Sequence, residues 1–194
     1  MNWYKILLRD NMVKNPLIAD EASLNGLGDE DFECGKQIEN WNTGAMFKVT
    51  EFGNEGDPDD VLLNDVPLPV FSPRLQAAVT NSGIRGIQFL PVRVQHWDGS
   101  WLEGFAIANI LNLVRGAVDR DKSVLMVTPE DFPVVEMRGS ISLIKPTLIG
   151  STIADYEIVR LSEEPFPIFV SEKFRRMFMK NEFTGIGFLK VGVS

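Results

Sequence analysis

Apolar and polar positions alternate weakly over residues 3–9, which predicts an opening strand. Residues 10–45 lose that alternation, are rich in Asn, Gly and acids, and predict loop with at most a short helix. A strand is expected over 45–50 and a turn-rich acidic loop over 53–60. From about Val61 strand patterns dominate, interrupted by two helical periodicities. Leu75, Ala78 and Val79 share one helical face, and Phe174, Met177 and Phe178 share another. Shorter strands are expected over 123–127, 134–137, 141–144 and 156–161.

The two helices sit in related surroundings. Val70-Phe71-Ser72-Pro73-Arg74-Leu75 aligns with Phe169-Val170-Ser171-Glu172-Lys173-Phe174 at a constant offset of 99, and the ungapped match runs on through Gly86 with Gly185 and Phe89 with Phe188. Each copy reads as strand, capped helix, glycine, strand. Ser72 and Ser171 stand where an N-cap hydroxyl accepts a hydrogen bond from an unpaired first-turn N–H. Pro73 tolerates the first helical position because its missing donor is unused there, and Glu172 favours the positive end of the helix dipole. The expectation is an α+β fold of mixed sheets with few helices, containing a duplicated strand-helix-strand unit over 70–92 and 169–191 that should superpose.

Between the copies, residues 92–97 alternate as a strand and end at Asp98-Gly99, a strong hairpin signal. A two-residue turn there would set His96 across from Trp101 on the face shared by Val92, Val94 and Phe105. It would turn Trp97 to the opposite, polar side with Arg93 and Gln95. The apolar run over 105–118 fits either a strand or a buried helix.

Charge changes this picture at one end of the chain. The net charge is −8, yet residues 19–65 hold thirteen Asp and Glu against Lys36 and Lys48. The division expected is therefore an acidic, loop-rich region over 1–65 packed on an α+β domain over 66–194. An acidic lobe repels nucleic acid and would speed encounter with a basic protein. Asp57, Asp59 and Asp60 are the acids singled out for such a contact, and Trp97 with Arg93 the anchor, since Trp leads interface hot spots. No apolar run approaches the ~18–20 residues that cross a bilayer, and the opening residues lack the features of a signal peptide. Cys34 is the single cysteine, so no internal disulfide forms, and a reducing cytoplasm is expected.

Catalytic chemistry finds little to build on. His96 is the one histidine, which excludes a multi-imidazole metal centre. A calcium loop counted from Asp57 would need Gly and Glu where Leu62 and Leu68 stand. Gly26-Leu27-Gly28 is no dinucleotide fingerprint, because Asp31 takes the third glycine's place. Neither an enzyme nor a cofactor is expected.

Ser171-Glu172-Lys173-Phe174 leading to Thr184-Gly185-Ile186-Gly187-Phe188 resembles the C-terminal signature of a bacterial immunity-protein family found in polymorphic toxin and type VI secretion systems. Phe105-Ala106-Ile107-Ala108-Asn109-Ile110-Leu111-Asn112-Leu113-Val114, followed by Asp119 and Ser123, is similar to that family's central motif. The resemblance runs from near Pro69 to Val191 and omits the acidic N-terminal third. It implies a cytoplasmic protein that neutralises a cognate, basic toxin by direct binding, with no nucleic acid or membrane partner. Self-association into a homodimer is left open. The rival reading is a small-molecule-binding or regulatory module with its ligand between the two repeated units, and a third is an enzyme using acidic residues.

Overall fold

A computed structural model describes residues 1–7, 18–24, 26–42, 44–50, 56–66 and 68–194. Its first half holds β1 (Trp3–Leu7), β2 (Ile18–Ala19), β3 (Glu21–Ser23), β4 (Met46–Lys48), β5 (Val61–Asn64), β6 (Val70–Phe71), α1 (Pro73–Asn81), β7 (Ile87–Pro91), β8 (Arg93–Gln95), β9 (Trp101–Leu102) and β10 (Ala106–Ile110). The second holds β11 (Leu113–Val114), β12 (Val124–Val127), β13 (Ile141–Lys145), β14 (Thr147–Leu148), α2 (Gly150–Ile153), β15 (Ile158–Leu161), β16 (Glu164–Ser171), α3 (Glu172–Lys180) and β17 (Gly187–Val193). This is an α+β fold of mixed sheets, as the patterning implies. The 105–118 run is two strands with no helix, whereas residues 135–137, expected to extend, form a single 3-10 turn.

Two sheets carry the fold, in the orders β2-β5-β6-β10-β7 and β11-β15-β16-β1-β17-β14. Their first five strands follow the same directions and registers. Phe71 and Pro91 both face Ala106, and Val170 and Lys190, each 99 residues on, both face Tyr4. Val61 pairs Phe71 as Ile158 pairs Val170, and Ile18 runs parallel to Leu63 as Leu113 does to Arg160. The strand between β16 and β17 is thus β1, from the other end of the chain. From residues 1–65, β1 lies inside the C-terminal sheet and β5 pairs with β6.

Side chains alternate across each sheet with period two, so each strand feeds two cores. Phe71, Val61, Ala108, Val170, Ile158 and Tyr4 turn inward, where both helices pack with Leu75, Val79, Phe174 and Phe178. Their neighbours Val70, Leu62 and Ile107 turn the other way, onto Phe47 and Val94 of the four-stranded sheet β3-β4-β8-β9. Trp3, Phe169 and Val159 do the same in the C-terminal sheet, against Leu143 of the β12–β13 ribbon and Ile153 of α2. The helices α1 and α3 therefore fill the middle layer, and each sheet is covered on its outer face, the C-terminal one in part by α2.

The helices start as the sequence predicts: Ser72 Oγ accepts from Leu75 N–H at 3.3 Å, and Ser171 Oγ from Phe174 N–H at 3.4 Å. Both end in a left-handed residue, Gly83 at φ +66° and Glu182 at φ +53°. Gly185 is required by proximity as well as by its φ of +98°, because a Cβ there would lie 2.2 Å from the Val61 carbonyl oxygen.

Candidate partner-binding surface

The five residues singled out by sequence divide between the interior and the surface. Asp59 and Asp60 are each only 4% exposed, so the acidic loop does not present them to a partner. Asp60 accepts from the Ser72 hydroxyl at 2.7 Å, from the Arg74 guanidinium at 2.6 and 2.5 Å, and from Thr184 N–H at 3.1 Å. It ties the start of α1 to the turn before β17. The bonded carboxylate also holds Arg74 above its usual pKa. A run of acids reads as solvated surface, but Ser72, Arg74 and Thr184 supply hydrogen bonds to both oxygens of this buried one. Asp57 is exposed.

Arg93 and Trp97 lie at the β8–β9 hairpin, whose turn differs from the one expected. His96 N–H donates to Ser100 O at 2.9 Å and Gly99 N–H to His96 O at 2.9 Å, with Gly99 at φ +84°. The loop is therefore the three residues Trp97-Asp98-Gly99, with glycine in the left-handed position. Asp98 fixes it by accepting from Ser100 N–H at 2.8 Å, and hydrogen bonds from the Ser100 side chain and then its backbone hold the Asp98 carboxyl below the usual range. Strand pairing moves by one residue, so Gln95 opposes Trp101. A one-residue slip carries side chains to the other face. Trp101 accordingly joins Arg93, whose guanidinium stacks 3.8 Å from its ring centroid. Trp97 leaves the strand for the turn and packs on His96, ring centroids 5.6 Å apart.

Both tryptophans are 37% exposed. They and Arg93 are exposed on one hairpin, an aromatic and cationic knob in which Arg93 and Trp101 touch and Trp97 stands in the turn; the sequence reading located it through Trp97 and Arg93 but lacked Trp101. The missed signal is Asp-Gly itself, which suits a two-residue turn and a three-residue one equally. Beside the knob, Gln76, Pro91, Arg93, Glu103, Gly104 and Phe105 line an open groove of about 470 Å³.

A second groove, of about 460 Å³, runs between the C-terminal ends of α1 and α3, where a ligand between the repeated units would sit. Arg74, the cation on its wall, is spent on Asp60 and on the carbonyls of Asn181 and Glu182. That leaves the wall poorly equipped to hold an anion. Among the described residues no group of three or more His, Cys, Asp or Glu could hold a metal ion. Cys34 is exposed and its thiol donates to Asp31 O at 3.1 Å. No helix among the described residues is long and apolar enough to cross a membrane.

The hairpin of Arg93 and Trp101 thus stands exposed beside an open groove. The Immunity protein family (Imm11) model matches residues 8–193, and the chain belongs to that family. The match takes in the acidic N-terminal third, which the motifs alone had left out. It makes the chain a non-enzymatic protein of the toxin-neutralising kind. No curated protein matches the sequence.

Proposed function

We propose that this protein neutralises a cognate bacterial toxin by direct binding, with the hairpin knob of Trp97, Trp101 and Arg93 as the anchor. Family membership supports the toxin as partner, and the knob is the observation that carries the choice of surface. Hot spots are enriched in Trp and Arg, whose planar groups bury large area at low entropic cost. The Arg93–Trp101 stack is already formed in the free protein, so part of that ordering is done before the partner arrives. Asp57, exposed on the acidic loop, would then steer a basic toxin toward the surface and affect association more than dissociation. The proposed setting is the bacterial cytoplasm, within a polymorphic toxin or type VI secretion system.

The test is a titration against the toxin domain encoded beside this chain. Trp97→Ala and Trp101→Ala, made separately, should each weaken binding by about 2 kcal/mol or more, roughly thirty-fold, with little change in melting temperature. Full-strength binding by both variants would move the anchor elsewhere. A large fall in melting temperature with intact affinity would make the tryptophans packing residues.

A further inference from the structure

The β12–β13 ribbon covers the C-terminal sheet with one face, where Leu125, Ile141 and Leu143 join the core. A surface ribbon of this kind ordinarily turns charged and polar residues outward. Here Met126 opposes Ser142, and Val124 and Ile144 flank that pair on the outer side. Val124, Met126 and Ile144 are each more than half exposed. Val127, at the end of β12, and Val134, Val135 and Met137, in the segment that joins β12 to β13, are exposed as well. These seven are nearly half of the large hydrophobic residues exposed in the described chain, and they fall within 21 consecutive positions.

The geometry points to this ribbon as a self-association surface, its occupant a second copy of the same chain. Charge makes the choice. Two copies at −8 each repel one another across most of their surfaces. Residues 124–145 carry three acids against Arg138 and Lys145, and so are close to neutral. A basic toxin would gain nothing electrostatically from this patch, whereas a like-charged copy can approach there at least cost. Area agrees: seven apolar side chains about half exposed offer on the order of 600 Å², near the ~800 Å² per partner of a stable interface. Among the described residues β12 pairs with β13 alone, so its outer edge is open to a two-fold ribbon contact, and a charge-poor apolar core is what homodimer interfaces favour.

The experiment is sedimentation of the full chain without toxin, at concentrations up to roughly 100 µM, well above a micromolar dissociation constant. The wild type should run at twice the chain mass and associate more tightly as salt rises, because screening removes repulsion between copies. Met126→Glu combined with Ile144→Glu should raise the dissociation constant about 100-fold or more and leave a single chain. Both side chains are exposed, so folding should survive. Val124→Lys provides a second variant on the same face with the same expected direction. A single-chain mass for the wild type at every concentration would overturn the proposal. So would a dimer unaffected by the substitutions. Slowed hydrogen exchange at 124–144 only when toxin is added would assign the face to the toxin and equally remove the second copy. None of these outcomes bears on whether the hairpin knob binds toxin, which the Trp97 and Trp101 titration decides separately.

Discussion

In the N-terminal sheet the strand between β6 and β7 is β10, which follows β7 through the β8–β9 hairpin. In the C-terminal sheet the same position is held by β1, and the chain ends with β17. Register shows how closely the two solutions agree: Tyr4 stands between Val170 and Lys190 as Ala106 stands between Phe71 and Pro91. Trp3 pairs Val191, so the start of β1 lies beside the end of β17, where a hairpin would join them. Strand position is thus set by side-chain pattern and pairing and does not require chain order. One half completes its sheet locally, and the other closes it across the whole length of the chain.

The largest effect should come from breaking that closure. Removing residues 1–7 withdraws a strand hydrogen-bonded on both sides and opens a gap under Trp3, Tyr4 and Ile6, all buried. The truncated chain should lose cooperative unfolding by circular dichroism. A permuted chain, with a short linker joining Ser194 to Met1 and new ends between Leu7 and Ile18, should regain it. A permutant no better folded than the truncation would show that β1 needs its original connection.

A second, smaller contrast lies at the two helix starts. Ser72 donates to buried Asp60, and Ser171 donates to Glu157, whose side chain is 22% exposed and pairs Lys173 at 3.5 Å. Asp60→Ala strands the buried Ser72 hydroxyl and undoes the tie to Arg74 and Thr184, which are exposed and can turn to water. The expected cost is about 2–3 kcal/mol. Glu157→Ala also leaves a buried hydroxyl, that of Ser171, without its acceptor, but its other partner, Lys173, is half exposed and makes a single ion pair, so the change should cost less, about 1–2 kcal/mol. Urea unfolding of the two variants measures the difference, and equal costs would remove the distinction between the halves.

The smallest effect is a pH dependence carried by one contact of the C-terminal sheet. The Tyr4 hydroxyl donates to Glu172. That bond raises the tyrosine above 10.0 and lowers the glutamate below 4.5. Glu172 therefore contributes stability that is present above pH 4.5 and lost as pH falls through its lowered folded value. Tyr4 contributes stability present below pH 10 and lost as pH climbs through its raised one. The register partners Ala106 and Pro73 can do neither. Urea midpoints followed across pH should show both losses in the wild type, with the alkaline loss absent and the acid loss reduced in Tyr4→Phe. Identical pH profiles would show that the contact contributes nothing.

The helices α1 and α3, their serine caps and the glycines before β7 and β17 were legible in the sequence because each is fixed by chemistry within a few residues; the single turn α2, with no side-chain cap at Ile149, was not. What depended on distant partners was not. Asp60 reads as one acid among many until Ser72, Arg74 and Thr184 surround it, the last 124 residues away. The pattern of β1 announces a strand but not a neighbour, and its partners lie more than 160 residues on. The hairpin turn failed for a different reason, since both turn geometries accept Asp98-Gly99 and only the strand register separates them.

Closure by β1 also fixes a schedule. Synthesis runs from β1 toward β17, so the first strand of the C-terminal sheet to be made is the last that can be placed. At roughly 5–20 residues per second, the 180 residues between Leu7 and Gly187 take about 10–40 s to add. Through that interval the N-terminal sheet can assemble from contiguous chain. Trp3, Tyr4 and Ile6 wait without a dock, an apolar segment that a chaperone or a second nascent chain can reach first.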